Sequence, residues 1–220
     1  MIDKLLSFVA PHPCSGCQKP GSLLCSDCKY DIVSEPFGGC VVCGEVSEAG
    51  ICRRHGVSYE TAWCVGERGG ALQRLVGTYK FQNTRAAFWI LANLLDERLP
   101  SFDDKVVIVP VPTVTAHVRE RGYDHVGLIA RRLAKLRGAS VENLVARATK
   151  TIQRHAPKEV RKTQADRAFG LRAGVSPDKT YLILDDVITT GATVEAIARL
   201  LRRAGARRAW VAAVARQPLD

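Results

Sequence analysis

The stretch Tyr181-Leu-Ile-Leu-Asp-Asp-Val-Ile-Thr-Thr-Gly-Ala-Thr193 constrains the fold more tightly than any other. Its apolar opening reads as a buried parallel strand that runs into two adjacent carboxylates, Asp185 and Asp186. A short loop of Thr189, Thr190, Gly191 and Thr193 follows, and Val194–Arg202 then carries helical periodicity. A strand leading through a polar turn into a helix collects unpaired N–H groups and the positive end of a helix dipole, which together seat a phosphate. Gly191 lets the backbone approach an anion closely or take a positive φ. Two carboxylates beside a phosphate would repel it, so they need another partner, and the vicinal hydroxyls of a sugar are the natural one. A phosphorylated ribose satisfies both halves of the stretch.

The eight cysteines set a second constraint, because seven of them fall before residue 53. They form the pairs Cys14/Cys17, Cys25/Cys28 and Cys40/Cys43, and Cys52 is followed by His55 at the same spacing. Each pair places two zinc-competent ligands on one tight turn, and two turns complete a tetrahedral shell. No base and no open coordination position is evident, so about two structural zinc ions are expected. A segment this short and poor in large apolar residues needs the metal to fold. Sequential pairing gives one site of Cys14, Cys17, Cys25 and Cys28 and another of Cys40, Cys43, Cys52 and His55, although spacing also permits an interleaved arrangement. His12 reads as a bystander, and Cys64, within the apolar run Ala62–Val65, as a packed core thiol.

Disulfides fit this spacing less well than bound metal, and the apolar stretch Leu5–Ala10 is too short for a membrane span or an export signal. The expectation is a cytoplasmic chain without a membrane span. Its net charge of +10 is unevenly spread. Residues 1–60 hold five Lys/Arg and seven Asp/Glu, so the whole surplus belongs to residues 61–220. Such a field suits a multiply anionic small molecule and equally a nucleic-acid backbone.

Helical periodicity begins at Gly70 and is expected to break near Gly77–Phe81; Ala86–Leu95 reads as a second helix. Val106-Val-Ile-Val-Pro-Val-Pro112 reads as a central strand entering a proline-bounded turn. A helix through Val126, Ile129 and Leu133 ends at Gly138, and Val141–Val145 reads as a strand. Residues 149–170 are polar, basic and irregular; Gly205 reads as the helix stop after Val194–Arg202, and Ala209–Ala215 as a last strand. Strands alternating with helices predict an α/β domain over 61–220, a parallel sheet flanked by helices on both faces, behind a double zinc ribbon over 1–60.

Leu184-Asp-Asp-Val-Ile-Thr-Thr-Gly-Ala-Thr193 resembles the phosphoribosyl-pyrophosphate (PRPP) signature of type I phosphoribosyltransferases. With the cysteine pairs, Leu75–Phe81, Val109-Pro-Val-Pro112, Arg119-Glu-Arg-Gly-Tyr-Asp124 and the spaced Gln153, Arg161 and Ala168-Phe169, the chain resembles the ComF family of competence proteins over nearly its whole length. It departs from that family's pattern at Tyr123-Asp124-His125, at Gln164 and at His55. The resemblance implies that Asp185 and Asp186 hold the ribose hydroxyls and that Val187, Ile188, Thr189, Thr190, Gly191, Ala192 and Thr193 cradle the 5′-phosphate. It places pyrophosphate at the turn after an early strand, here Pro110, Val111, Pro112 and Thr113, with Arg119 and Arg121 close behind. Mg²⁺ would arrive with PRPP, and the basic segment Thr149–Lys162 would close over the pyrophosphate.

Two functions compete on this evidence. One is a phosphoribosyltransferase, with Asp185, Asp186 and Arg121 as its central residues. The other is a competence or DNA-uptake factor that handles single-stranded DNA or docks competence proteins and keeps the phosphoribosyl site for binding alone. Tyr79, Phe81, Tyr123 and Phe169 are candidate stacking residues for the second. No stretch reads as a base-binding hood, and the ribbon is expected to act as a docking surface or a lid.

Overall fold

The computed structural model describes residues 12–82, 84–102, 105–148 and 168–218. Leu5–Ala10, Thr149–Lys162 and Gln164 lie outside the described residues. In chain order the elements are helix α1 (Ser26–Ser34), strand β1 (Thr61–Glu67), helices α2 (Gly70–Phe81) and α3 (Ala87–Arg98), and strand β2 (Val106–Pro110). Helices α4 (Thr115–Arg121) and α5 (His125–Arg137) follow, then the short strands β3 (Ser140–Val141), β4 (Val145–Arg147) and β5 (Phe169–Leu171). Strand β6 (Thr180–Ile188), helix α6 (Ala192–Arg203) and strand β7 (Arg208–Arg216) complete the chain.

The main sheet has the order β1-β7-β6-β2-β3 with every pairing parallel, and β4 and β5 form a separate antiparallel pair. Parallel strands need crossover helices, so both faces are covered and the central strands are apolar throughout. Tyr181 to Leu184 and Val211 to Ala215 are all wholly buried. One face carries α2, α3 and α5 through Leu75, Leu91, Leu95, Ile129 and Leu133. The other carries α6 through Val194, Ile197 and Leu201, together with Val145 and Phe169 of the small hairpin. The spacing of those α6 residues is that of one helix face.

Residues 12–60 are wrapped onto both of these layers. Cys14, Leu23, Leu24 and Cys28 join the core beneath α2 and α3, while Val41 and Tyr59 join the core beneath α6. Residues 37–49 run along β1, where Phe37 N–H donates to Val65 O at 3.5 Å and Ala62 N–H donates to Ala49 O at 2.9 Å. Arg98 ties the segment down by donating to Cys64 O and Phe37 O at 3.1 and 2.8 Å. An edge strand that would otherwise offer unpaired backbone groups is covered in this way. Among the described residues no helix is long and apolar enough to cross a membrane.

Four local expectations need correction. Helix α2 runs unbroken through Gly77, because Leu75, Val76 and Tyr79 are buried and their packing outweighs the roughly 1 kcal/mol penalty of an internal glycine. Val141–Val145 is two separate strands rather than one: β3 extends the main sheet, whereas β4 leaves it to pair with β5. A helix, α4, occupies Thr115–Arg121, where no apolar face signalled it and none is buried. Finally, β6 continues through Val187 and Ile188, and Ala192 and Thr193 already belong to α6, so the loop proper is Thr189–Gly191.

Candidate functional site

In an open α/β sheet, ligands bind beyond the C-terminal strand ends, at the point where the chain's winding reverses. That point lies between β2, whose crossover leads out to β3, and β6, whose crossover leads back to β7. A cleft of about 300 Å³ opens there, lined by Thr113, Arg121, His125, Asp185, Asp186 and Thr193 among others. Larger hollows of about 540 and 460 Å³ flank the first cysteine group; Asp31, Glu35, Glu67 and the N-terminus of α2 line the first of them, but neither touches β2 or β6, where the winding reverses.

Asp186 is the most tightly held residue of the cleft. Lys80 Nζ, at the end of α2, donates to its Oδ1 at 2.8 Å, with side-chain exposures of 19% and 5%. His125 Nε2, at the start of α5, stands 2.5 Å from Oδ2, close but poorly directed for a hydrogen bond. Burial alone would raise the Asp186 carboxyl, but His125 and Lys80 outweigh it and hold the group well below the usual carboxylate range. Asp185 shifts the opposite way: burial first, then the charge of Asp186, push it well above that range. Its Oδ1 accepts from the Asp186 N–H at 2.8 Å.

These shifts make opposite contributions to stability. For Asp186 the folded value lies below the unfolded one, so its contribution is present above about pH 4 and lost as pH falls through the folded value. For Asp185 the folded state keeps its proton longer than the unfolded state, so stability falls as pH rises above about 4. An Asp185→Asn chain is therefore expected to melt roughly 2–4 °C higher at pH 7, the effect of about 1 kcal/mol in a chain of this size. The gain should shrink toward pH 4. Thermal melts across this range check it, and a variant that melts lower at pH 7 contradicts it.

Behind Asp186 stands a chain of directed contacts. Tyr79 Oη donates to His125 O at 2.8 Å and Tyr123 Oη donates to Tyr79 O at 2.5 Å. Arg121 Nη1 lies 3.2 Å from His125 Nδ1. Asp124 caps α5 by accepting from Gly127 N–H at 3.2 Å, and its Oδ1 also accepts from Thr113 Oγ1 at 2.7 Å. The three residues that depart from the family pattern, Tyr123, Asp124 and His125, are thus built into the site's frame.

The structure brings together Val111, Pro112, Arg121, Asp185, Asp186, Val187 and Thr193 as lining of one cleft. Gly191 is buried, takes φ 74° and serves as N-cap of α6. Thr189 and Thr190 are exposed at the rim, Ile188 is buried below it, and Ala192 opens the helix. Pro110 closes β2 and is buried, whereas Arg119 is exposed on α4 and does not line the cleft. Thr113, expected at the pyrophosphate turn, lines it too, whereas the sequence assigned no role to Lys80, His125 or Arg147, which also line it. Lys80 had a signal, a cation beside the buried end of an apolar helix; Arg147 had none. Cys64 is a core thiol, wholly buried and pushed up to about 12 by that burial.

The cysteine groups resolve into two sequential sites, Cys14/Cys17/Cys25/Cys28 and Cys40/Cys43/Cys52/His55, with the donor atoms of each within 4.8 Å of one another. A tetrahedron with bonds of ~2.3 Å has edges of ~3.8 Å. Cys14 and Cys17 Sγ lie 3.6 and 3.7 Å from Cys25 Sγ, and Cys43 and Cys52 Sγ lie 3.7 Å apart. His55 offers Nδ1, 3.8 Å from Cys40 Sγ and 3.0 Å from Cys52 Sγ. Both donor sets fit zinc. Against the cost of burial, N–H groups of Cys25, Cys17 and Gly16 bring the Cys14 thiol down to about 6, the form a metal requires. Gly16 is needed for a second reason: a β-carbon there would lie 2.2 Å from Cys28 Sγ. None of residues 12–60 lines the cleft itself.

A parallel α/β sheet with paired carboxylates at its reversal point defines a class, and the comparison with known families agrees: the phosphoribosyl transferase domain matches residues 83–219. Similarity to curated proteins extends across the ribbon as well. Competence protein F of Haemophilus influenzae is 31% identical, over 88% of this chain and 90% of its own. The DNA utilization protein YhgH of Salmonella typhi is 30% identical, over 90% and 94%. The chain belongs to this ComF family of competence proteins, within the phosphoribosyl transferase domain class. Among solved structures, the allosteric regulatory enzyme of purine biosynthesis aligns with 57% of this chain and 25% of its own, at 20% identity and a TM-score of 0.41.

Proposed function

We propose that this protein binds PRPP in the cleft between β2 and β6 and serves competence or DNA utilisation. In this reading Asp185 and Asp186 accept from the ribose hydroxyls, and residues 187–193 hold the 5′-phosphate at the N-terminus of α6. Pyrophosphate, with Mg²⁺ it brings along, lies against Val111–Thr113 and Arg121. The observation that carries the reading is the state of Asp186. A carboxylate already paired with the Lys80 ammonium, with His125 Nε2 beside its second oxygen, can face a hydroxyl without repelling the phosphate held a few residues away. The cleft also has what transfer to a nitrogen nucleophile needs, since such displacement depends on charge stabilisation and positioning rather than on a nucleophilic side chain. Calorimetry with PRPP and Mg²⁺ on the zinc-loaded chain tests the proposal. Saturable binding of one PRPP per chain is expected, and no binding ends it.

A second reading, contact with single-stranded DNA, is favoured by two exposed aromatic rings under arginines, a candidate stacking stripe of which Arg121 lines the cleft. Phe81 and Trp89 are 71% and 48% exposed. Arg121 lies over the Phe81 ring at 5.6 Å and Arg132 over Trp89 at 3.9 Å, its Nε without an acceptor. Aromatic faces flanked by arginines are the usual platform for unpaired bases. Of the other candidate stacking residues, Tyr79 and Phe169 are buried and Tyr123 is spent on Tyr79, which leaves Phe81. A Phe81→Ala/Trp89→Ala chain should bind oligo-dT at least tenfold more weakly, at ~1–3 kcal/mol per stacked base. Anisotropy at two salt concentrations checks this; unchanged affinity removes the stripe from any strand-handling role.

A further inference from the structure

The second cysteine group is not a detached module, because it braces α6 and the loop that precedes it. Val42, inside the Cys40–Cys43 turn, packs on Gly191: a β-carbon at position 191 would lie 3.1 Å from Val42 Cγ2. One turn further along α6, Glu195 accepts from Ser58 N–H and Ser58 Oγ, both at 2.8 Å. Ser58 lies three residues after the ligand His55. Two turns on, Arg202 Nε donates to Ser58 O at 3.1 Å. Positions 191, 195 and 202 share one face of a helix, so residues 40–58 clasp α6 along a single stripe that begins at its N-cap. From the other side, Gly44 lies against the Arg216 guanidinium, and Gln217 N–H donates to Ile188 O at 2.7 Å.

The first cysteine group makes no such contact. Its links are Arg74 Nη2 to Gly16 O at 2.9 Å and an ion pair of Lys29 with Glu97, on the opposite face of the sheet. The nearer of these helix positions, Arg74, precedes Lys80 by six residues.

We infer that the Cys40/Cys43/Cys52/His55 site is a positioning element of the phosphate loop. Metal there holds Val42 against Gly191 and Ser58 against Glu195, and so keeps the N–H groups of residues 189–193 arranged for an anion. The ligand's identity rests on the phosphoribosyl reading above; the mechanical coupling does not. Without metal, the turn carrying Val42 loses its cross-link, and Gly191 in its left-handed conformation loses its backing. Preorganised donors bind an anion better than donors that must first be ordered.

Three variants test the coupling by zinc content, amide hydrogen exchange and PRPP calorimetry with Mg²⁺. Cys52→Ser/His55→Ala should carry one zinc ion, exchange faster at 189–195, and bind PRPP at least ~10-fold more weakly, a coupling of usual size. Cys17→Ser/Cys25→Ser should also carry one zinc ion but weaken PRPP at most ~3-fold, within the lower range for indirect effects. Val42→Ala should keep both zinc ions yet speed exchange at 189–195 and weaken PRPP ~3-fold, with Val42→Ile restoring both. Equal losses from the two double variants, or Val42→Ala exchange at 189–195 matching wild type, overturn the inference. If the second-site double variant does not fold, the Val42 pair decides. A wild-type chain that ignores PRPP ends the phosphoribosyl reading, while the exchange data still decide the coupling.

Discussion

Replacing Asp185 and Asp186 together by alanine is expected to abolish PRPP binding in calorimetry while zinc stays at about two ions per chain. Hydrogen bonds to a charged group contribute roughly 1.5–3 kcal/mol each. Losing one such bond at Asp186 and a neutral one of about 0.5–1.5 kcal/mol at Asp185 weakens binding by on the order of 30- to 2,000-fold, beyond what calorimetry registers for a ligand of modest affinity. Alanine at 186 also leaves the largely buried Lys80 and His125 without their carboxylate, and breaking a buried pair costs about 3–5 kcal/mol. The double amide variant Asp185→Asn/Asp186→Asn keeps shape and hydrogen-bonding capacity and separates the two effects. It should stay folded and still lose most of its affinity, since an amide is a weaker acceptor and leaves Lys80 free to compete for the hydroxyls. PRPP bound at wild-type strength by both double variants would remove the ribose role from these acids.

Stripping the metal is expected to have the largest effect on stability. Metal analysis should find about two zinc ions per chain, as the two donor sets require. Structural zinc in small domains contributes on the order of 10–16 kcal/mol at neutral pH, most of it folding energy. Here its loss would not stop at residue 60. Leu23, Leu24 and Cys28 would leave one core, Val41 and Tyr59 would leave the other, and β1 would become an exposed edge. A chelator-treated chain should therefore lose its cooperative melting transition or shift it downward by well over 15 °C. It should also aggregate through the uncovered strand. A zinc-free chain that melts like the native protein would show that the two groups are not metal centres.

The strand–loop–helix at 181–193 and the paired cysteines were legible because each is local. Alternation, turn chemistry and ligand spacing are properties of a dozen consecutive residues, and they placed β6, α6 and the eight donors, whose division into two sequential sets the structure decided. The errors arose where local signals are weak or outvoted. Gly77 and the run 141–145 were read by propensity and pattern, and tertiary packing and strand partnering decided otherwise. Tyr79, Tyr123 and Phe169 looked like stacking residues only until burial could be seen.

What the sequence determined by itself is the chemistry available: two acids at a strand end, a glycine before a helix, eight zinc-competent donors in pairs and a basic surplus over residues 61–220. Only the tertiary structure decided how these groups act on one another. Lys80 reaches Asp186 across 106 residues of chain, and Ser58 reaches Glu195 across 137. Such contacts leave no periodic trace, since neither partner's neighbours reveal what stands opposite it. The opposite ionisation preferences of Asp185 and Asp186, identical residues one position apart, follow from that same cause. Lys80 and His125, distant in sequence, hold Asp186 ionised, and burial together with that charge keeps the proton on Asp185.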